Sequence, residues 1–152
     1  MNIVIVAVGR QKAGAEKTLL DTYLKRLPWK VSLREIDIRT GHEGPERKAL
    51  EGARILEDLP TDAKVVALDE RGNNLKSREF ARQVSTWQDD GCRQLAFVIG
   101  GADGLADEVR NRADKTISFG AATWPHMLVR AMLGEQLFRA ASIIAGHPYH
   151  RE

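Results

Sequence analysis

The stretch AGHPYHRE, residues 145–152, brings His147, Tyr149, His150 and Arg151 within five positions of one another. An imidazole titrates close to neutral pH and can take or give a proton there. A phenol can donate a hydrogen bond or stack on a base, and a guanidinium grips anions through a rigid fork of donors. Chain ends usually fray, but Pro148 restricts the backbone ahead of Tyr149, so the triplet has less entropy to lose on being held in one orientation. Upstream, Glu135 and Arg139 are spaced i, i+4 and face each other on a helix. In a helix apolar over most of its circumference, two such charges must be paired.

Three further stretches place backbone where a ligand could lie. ALDERGNN follows Leu68 with a polar, Gly/Asn-rich loop, VIGGADG carries Gly100, Gly101 and Gly104, and SFGAATWPH carries Gly120, Ala121 and Ala122. Each follows a short apolar run, and ligands of open parallel sheets bind beyond the carboxyl ends of the strands. Residues with little or no side chain let a ligand rest on main-chain N–H groups. A branched residue in place of Gly100 is expected to project into that space. No G-x-x-x-x-G-K-[ST] motif is present, which argues against a nucleoside triphosphate. The glycine loop does not follow the first strand, which argues against a dinucleotide and an ordinary Rossmann methyltransferase.

The elements that must hold these groups alternate. Near-continuous apolar runs at 3–8, 65–68, 95–99 and 115–119 read as strands covered on both faces, with a less regular strand at 31–38. Helical patterns occupy 15–27, 45–59, 77–91 (with Ser77 as cap), 106–113 and 125–145, the last stopping at Gly146. The order predicts an α/β fold with a mainly parallel sheet in a single domain over 1–152. The last helix, with Met127, Met132, Leu133, Leu137 and Phe138 around it, is expected to bury one side against a second subunit, Leu133 included.

Of the 152 residues 43% are hydrophobic and 29% charged, as in an ordinary globular protein. The single cysteine, Cys92, excludes a disulfide framework and a Cys-based zinc site, and reads as a small filler beside a strand. No segment reads as a signal peptide or a membrane span, so a cytoplasmic protein is expected. The net charge of +2 does not announce a nucleic-acid partner, yet residues 10–34 hold seven basic side chains against Glu16 and Asp21. Such clustering can be a phosphate-contacting patch.

LDERG, VIGGADGL, SFGAATWPHMLVRAMLGEQLFRA and HPYHRE, in that order and over the whole length, resemble the ribosomal large subunit pseudouridine N3-methyltransferases of the SPOUT superfamily. The resemblance implies an α/β knot, one of the rare exceptions to unknotted chains. It implies S-adenosylmethionine bound by Leu68, Gly100, Phe119, Gly120, Ala121, Ala122, Thr123 and Trp124. It also implies a homodimer and a pseudouridine of 23S ribosomal RNA presented by the assembled ribosome. Methyl transfer from a sulfonium to a ring nitrogen needs no metal, but the imide proton on N3 must leave. His150 or Glu135 could take it, Arg139 or Arg151 could neutralise charge on the pyrimidine oxygens, and Tyr149 could stack on or hydrogen-bond to the base. The main rival from another class is a non-catalytic RNA- or ribosome-binding factor on the same scaffold.

Overall fold

The computed structural model of the chain describes residues 1–38 and 41–151. The order is β1 (Asn2–Val8), α1 (Ala15–Leu24), β2 (Lys30–Ile36), α2 (Gly44–Asp58), β3 (Lys64–Asn74), α3 (Ser77–Asp89), β4 (Gln94–Ile99), α4 (Asp107–Arg112), β5 (Lys115–Ser118) and α5 (His126–Ile144). The strands form one sheet in the order β2-β1-β4-β3-β5, and every neighbouring pair is parallel.

The twofold period of a strand explains the two layers of core. Ile3, Ile5 and Ala7 of β1 pack on one face with Leu95, Phe97 and Ile99 of β4, beneath α3 and α5. Val4, Val6 and Val8 pack on the other with Ala96 and Val98, beneath α2 and α4. Both faces being covered, the strands read as continuous apolar runs. Helices approach closely where a side chain is missing: a Cβ on Gly134 of α5 would lie 3.0 Å from Leu20 Cδ1 of α1.

Several local expectations are revised. β3 continues past Leu68 to Asn74, because Leu68 and Asn73 both register with Ile117 and the residues between them bulge out. Ser77 does not cap α3. The Glu79 carboxylate reaches back to accept the Lys76 N–H at 2.8 Å, which leaves the Ser77 hydroxyl to donate to Gln136 Oε1 of α5 at 2.9 Å. Leu133 is fully buried against the sheet and offers nothing to a second copy. Cys92 is half-buried beside the core, with its thiol donating to Gln94 O.

The end of α5 decides where the tail goes. Gly146, at φ +70°, adopts the left-handed conformation that reverses a chain without steric cost. Its N–H donates to Ile143 O at 3.1 Å, and the His147 N–H donates to Ser142 O at 2.8 Å. That pair of bonds is a Schellman motif, and it turns residues 147–151 back along the helix they have just left. Among the described residues, no helix is long and apolar enough to cross a membrane.

Candidate active site

Beyond the carboxyl ends of β3, β4 and β5 lies a cleft of about 300 Å³, at the small end of the ~300–1,000 Å³ typical of ligand sites. Backbone forms much of its wall. Gly104, at φ +79°, donates its N–H to Gly101 O at 3.0 Å and closes a tight turn. On the third loop, the Ser118 hydroxyl donates to Gly120 O at 2.8 Å and accepts the Gly120 N–H at 3.2 Å. Trp124 Nε1 donates to Phe119 O at 3.2 Å and ties off that loop. The bulge of β3 lies against β5 so closely that a Cβ on Gly72 would be 2.6 Å from Ile117 backbone.

Leu68, Gly100, Phe119, Gly120, Ala122, Thr123 and Trp124 line this cleft, whereas exposed Ala121 does not. The lining also includes Gly101 and Gly104 of the glycine turn, as expected, together with Asp69 and with His126 and Val129 of α5, which the sequence did not mark as candidates. His126 had a signal: it opens a helix directly after a strand-end loop. The cradle suits a flat, partly apolar ligand, with Leu68, Ile99, Leu105 and Phe119 for its apolar parts and loop backbone for its polar ones.

Gly100 sits tightly against the turn that follows it. A Cβ there would lie 3.0 Å from the Gly104 backbone and 3.1 Å from Leu105 Cδ2. A side chain would therefore push out of place the 101–104 turn that forms this wall of the cleft. Gly100→Val is expected to abolish measurable cofactor binding in calorimetry while the thermal melt stays cooperative. Unchanged affinity would mean that this turn does not shape the site.

The tail residues assemble elsewhere on the same chain. Arg139 donates through Nε to Glu135 Oε1 at 2.9 Å, and the Tyr149 hydroxyl donates to the same oxygen at 3.2 Å. Gln136 Nε2 donates to Glu135 Oε2 at 2.7 Å. The Tyr23 hydroxyl of α1 stands 3.4 Å from that of Tyr149. That bond, with desolvation and the Glu135 charge, pushes the Tyr149 phenol up to about 12. Glu135 holds the Arg139 guanidinium above its ordinary value. Arg139 Nη1 lies 3.1 Å from His150 Nδ1; a guanidinium can only donate, so the ring proton belongs on Nε2. The Tyr149 ring packs edge-on against Phe138 at 4.7 Å, and Arg26 covers the Phe138 face at 4.0 Å. Arg151 is exposed.

Tyr149, His150 and Arg151 do not line the cleft of their own chain. Glu135 instead borders a second, mostly apolar cavity of about 400 Å³ between α1, α3 and α5, which shares Ile117, Ser118 and Phe119 with the cleft.

Fold and cleft together describe an α/β protein with a ligand-sized cleft formed by strand-end loops of a parallel sheet. The family model for "Predicted SPOUT methyltransferase" matches residues 1–150, and the chain belongs to that family. It is 52% identical over 151 residues to "Ribosomal RNA large subunit methyltransferase H" of Paramagnetospirillum magneticum, covering 99% of both chains. The protein of the same name from Rhodospirillum centenum matches to the same extent, at 52% over 151 residues and 99% of both chains. Among solved structures, the fold matches a "probable methylase family protein" of Haemophilus influenzae Rd KW20 with a TM-score of 0.59 at 14% identity, over 99% of this chain and 71% of that one.

Proposed function

We propose that the protein transfers the methyl group of S-adenosylmethionine to N3 of a pseudouridine in 23S ribosomal RNA, acting as a cytoplasmic homodimer on the assembled ribosome. The observation that carries this reading is the full-length identity of 52% to relatives named for large-subunit ribosomal RNA methylation. Methyl transfer from labelled cofactor to ribosomes lacking the modification, followed by mapping of the product base, tests it. Label on another base, or none, would sink it.

S-adenosylmethionine, held by Leu68, Phe119 and the backbone of the two loops at 100–104 and 119–124, would supply a methyl group on a positively charged sulfur. The residues of this chain then have to remove the N3 proton and hold the nitrogen in line. The hydrogen bonds made by Glu135 support His150 as the base in this reading. Glu135 already accepts from Arg139, Tyr149 and Gln136, so both of its oxygens are engaged by donors of its own chain. Glu135 therefore orients Arg139. His150 takes the proton on Nδ1 once Arg139 turns from that nitrogen to the pyrimidine oxygens, where Arg151 assists. Tyr149 keeps its own proton at neutral pH and serves to stack on the base or donate to it.

Because tail and cleft lie apart on one chain, a second copy is the natural means of bringing them together. The apolar side chains available for that contact are Leu19, Leu128 and Met132 around the second cavity. Met132→Glu is expected to give a folded monomer at micromolar concentration in analytical ultracentrifugation, where the wild type sediments as a dimer. A monomeric wild type would end the dimer reading.

A further inference from the structure

Glu51 of α2 is a buried charge that the chemistry above leaves unused. Only 4% exposed, it sits behind the glycine turn that follows β4. Its Oε2 and Oε1 lie 3.4 and 3.5 Å from where a Cβ on Gly101 would be. Arg47, with 34% of its side chain exposed, donates to Oε1 at 3.0 Å. Oε2 is buried and has no hydrogen-bond partner among the described residues. Gly101 lines the cleft from the other side, so one thickness of glycine backbone separates this carboxylate from the ligand space. The glycine is required for that closeness, since a Cβ would also lie 2.9 Å from Val8 Cγ1.

A buried carboxylate oxygen without a donor is costly, and a positive charge arriving nearby offsets that cost. Asp69, the buried carboxylate in the wall of the cleft, is already matched by Arg71 at 3.2 Å and Arg110 at 3.9 Å. Among the described residues, Glu51 has a single, half-solvated partner in Arg47. Electrostatic attraction needs no direct contact and acts across a thin layer of low-dielectric backbone.

We infer that Glu51 is a positioning residue that tunes the cleft for a cationic ligand, favouring the sulfonium of the cofactor over the neutral thioether left after transfer. The inference rests on reading the cleft as an S-adenosylmethionine site. In the transfer the S–CH₃ bond breaks, its electron pair stays on sulfur, an N–CH₃ bond forms and the N3 proton passes to the base. The sulfur thereby loses the charge that Glu51 favours, which weakens the hold on the product.

Calorimetry on the full chain with S-adenosylmethionine and with S-adenosylhomocysteine separates this role from mere support of the loop. Glu51→Gln keeps the shape of the side chain and removes its charge. It is expected to weaken S-adenosylmethionine about tenfold and S-adenosylhomocysteine by less than about twofold. Equal weakening of both ligands, or no change in either, would overturn the role of Glu51. A wild type that binds neither ligand would overturn the cofactor reading, and this inference with it. If Glu51→Gln does not fold, Arg47→Gln reads the same coupling with opposite sign. Removing the compensating cation is expected to raise the preference for the sulfonium about threefold, and an unchanged preference would overturn the inference.

Discussion

Deleting residues 149–152 is expected to lower single-turnover methylation of ribosomes by at least about 10²-fold, the scale of losing a positioned proton acceptor, while leaving cofactor affinity within about twofold. The reason lies in where the tail runs. The Schellman turn at Gly146 sends it back along α5, where Tyr149 donates to Glu135 and packs on Phe138, and His150 meets Arg139. Neither Tyr149 nor His150 lines the chain's own cleft, so their loss is expected to leave that cleft intact. His150→Ala alone is expected to cost roughly 10²–10⁴-fold in rate if it takes the N3 proton. A tail that only packs on the helix would give the reverse pattern: lower melting temperature and a near-normal rate per folded molecule. Measuring rate and cofactor affinity on the same truncated preparation decides between the two.

What was legible in the sequence follows from what each signal encodes. Continuous apolar runs report that both faces of a strand are covered, and β1 and β4 duly bury both. Glycines after strands report backbone left open by missing side chains, and the loops at 100–104 and 119–124 line the cleft. Strand order was not legible, because each parallel pairing depends on residues far apart in the chain. The extension of β3 was hidden because polar residues 69–74 carry no β pattern, and Asn73 and Asn74 join the sheet through backbone alone. Leu133 illustrates a different limit. A helix apolar on several sides does not declare which side meets its own sheet, and only packing shows that Leu133 does while Met132 faces the second cavity. The clustering of basic residues at 10–34 likewise splits on folding: Lys17 pairs with Asp21, Arg34 reaches Asp58 O, and Arg26 covers Phe138 beside the tail.

Arg130, a cation within a largely apolar helix, is fully buried and ties that helix to the sheet. Its Nη2 donates to Val8 O at 3.0 Å and Gly9 O at 2.6 Å, and its Nη1 reaches Glu35 Oε1 at 3.4 Å. Burial lowers the pKa of the guanidinium, against the opposing pull of Glu35. A buried ion pair can often be replaced by apolar side chains at little cost, but removing one partner alone leaves the others stranded. Glu35 is partly exposed and still accepts the Gln11 N–H at 3.1 Å, so the stranded groups would be the two main-chain carbonyls of Val8 and Gly9, whose loss of a donor outweighs the gain from desolvation. Arg130→Met is therefore expected to cost about 3–5 kcal/mol, read as a lower urea midpoint at unchanged slope. Glu35→Gln, which leaves the carbonyl contacts in place, is expected to cost no more than about 1 kcal/mol. The effect should reach the cleft as well. A Cβ on Gly9 would lie 3.2 Å from Met127 Cε and 3.6 Å from His126 Nε2, so the end of β1 bears directly on the first turn of α5, which carries His126 and Val129 into the cleft. Loosening that contact should weaken cofactor binding in the fraction that remains folded. A stability loss below about 1 kcal/mol for Arg130→Met would show that water or neighbouring groups satisfy those carbonyls, and that the clamp is not what holds α5 in place.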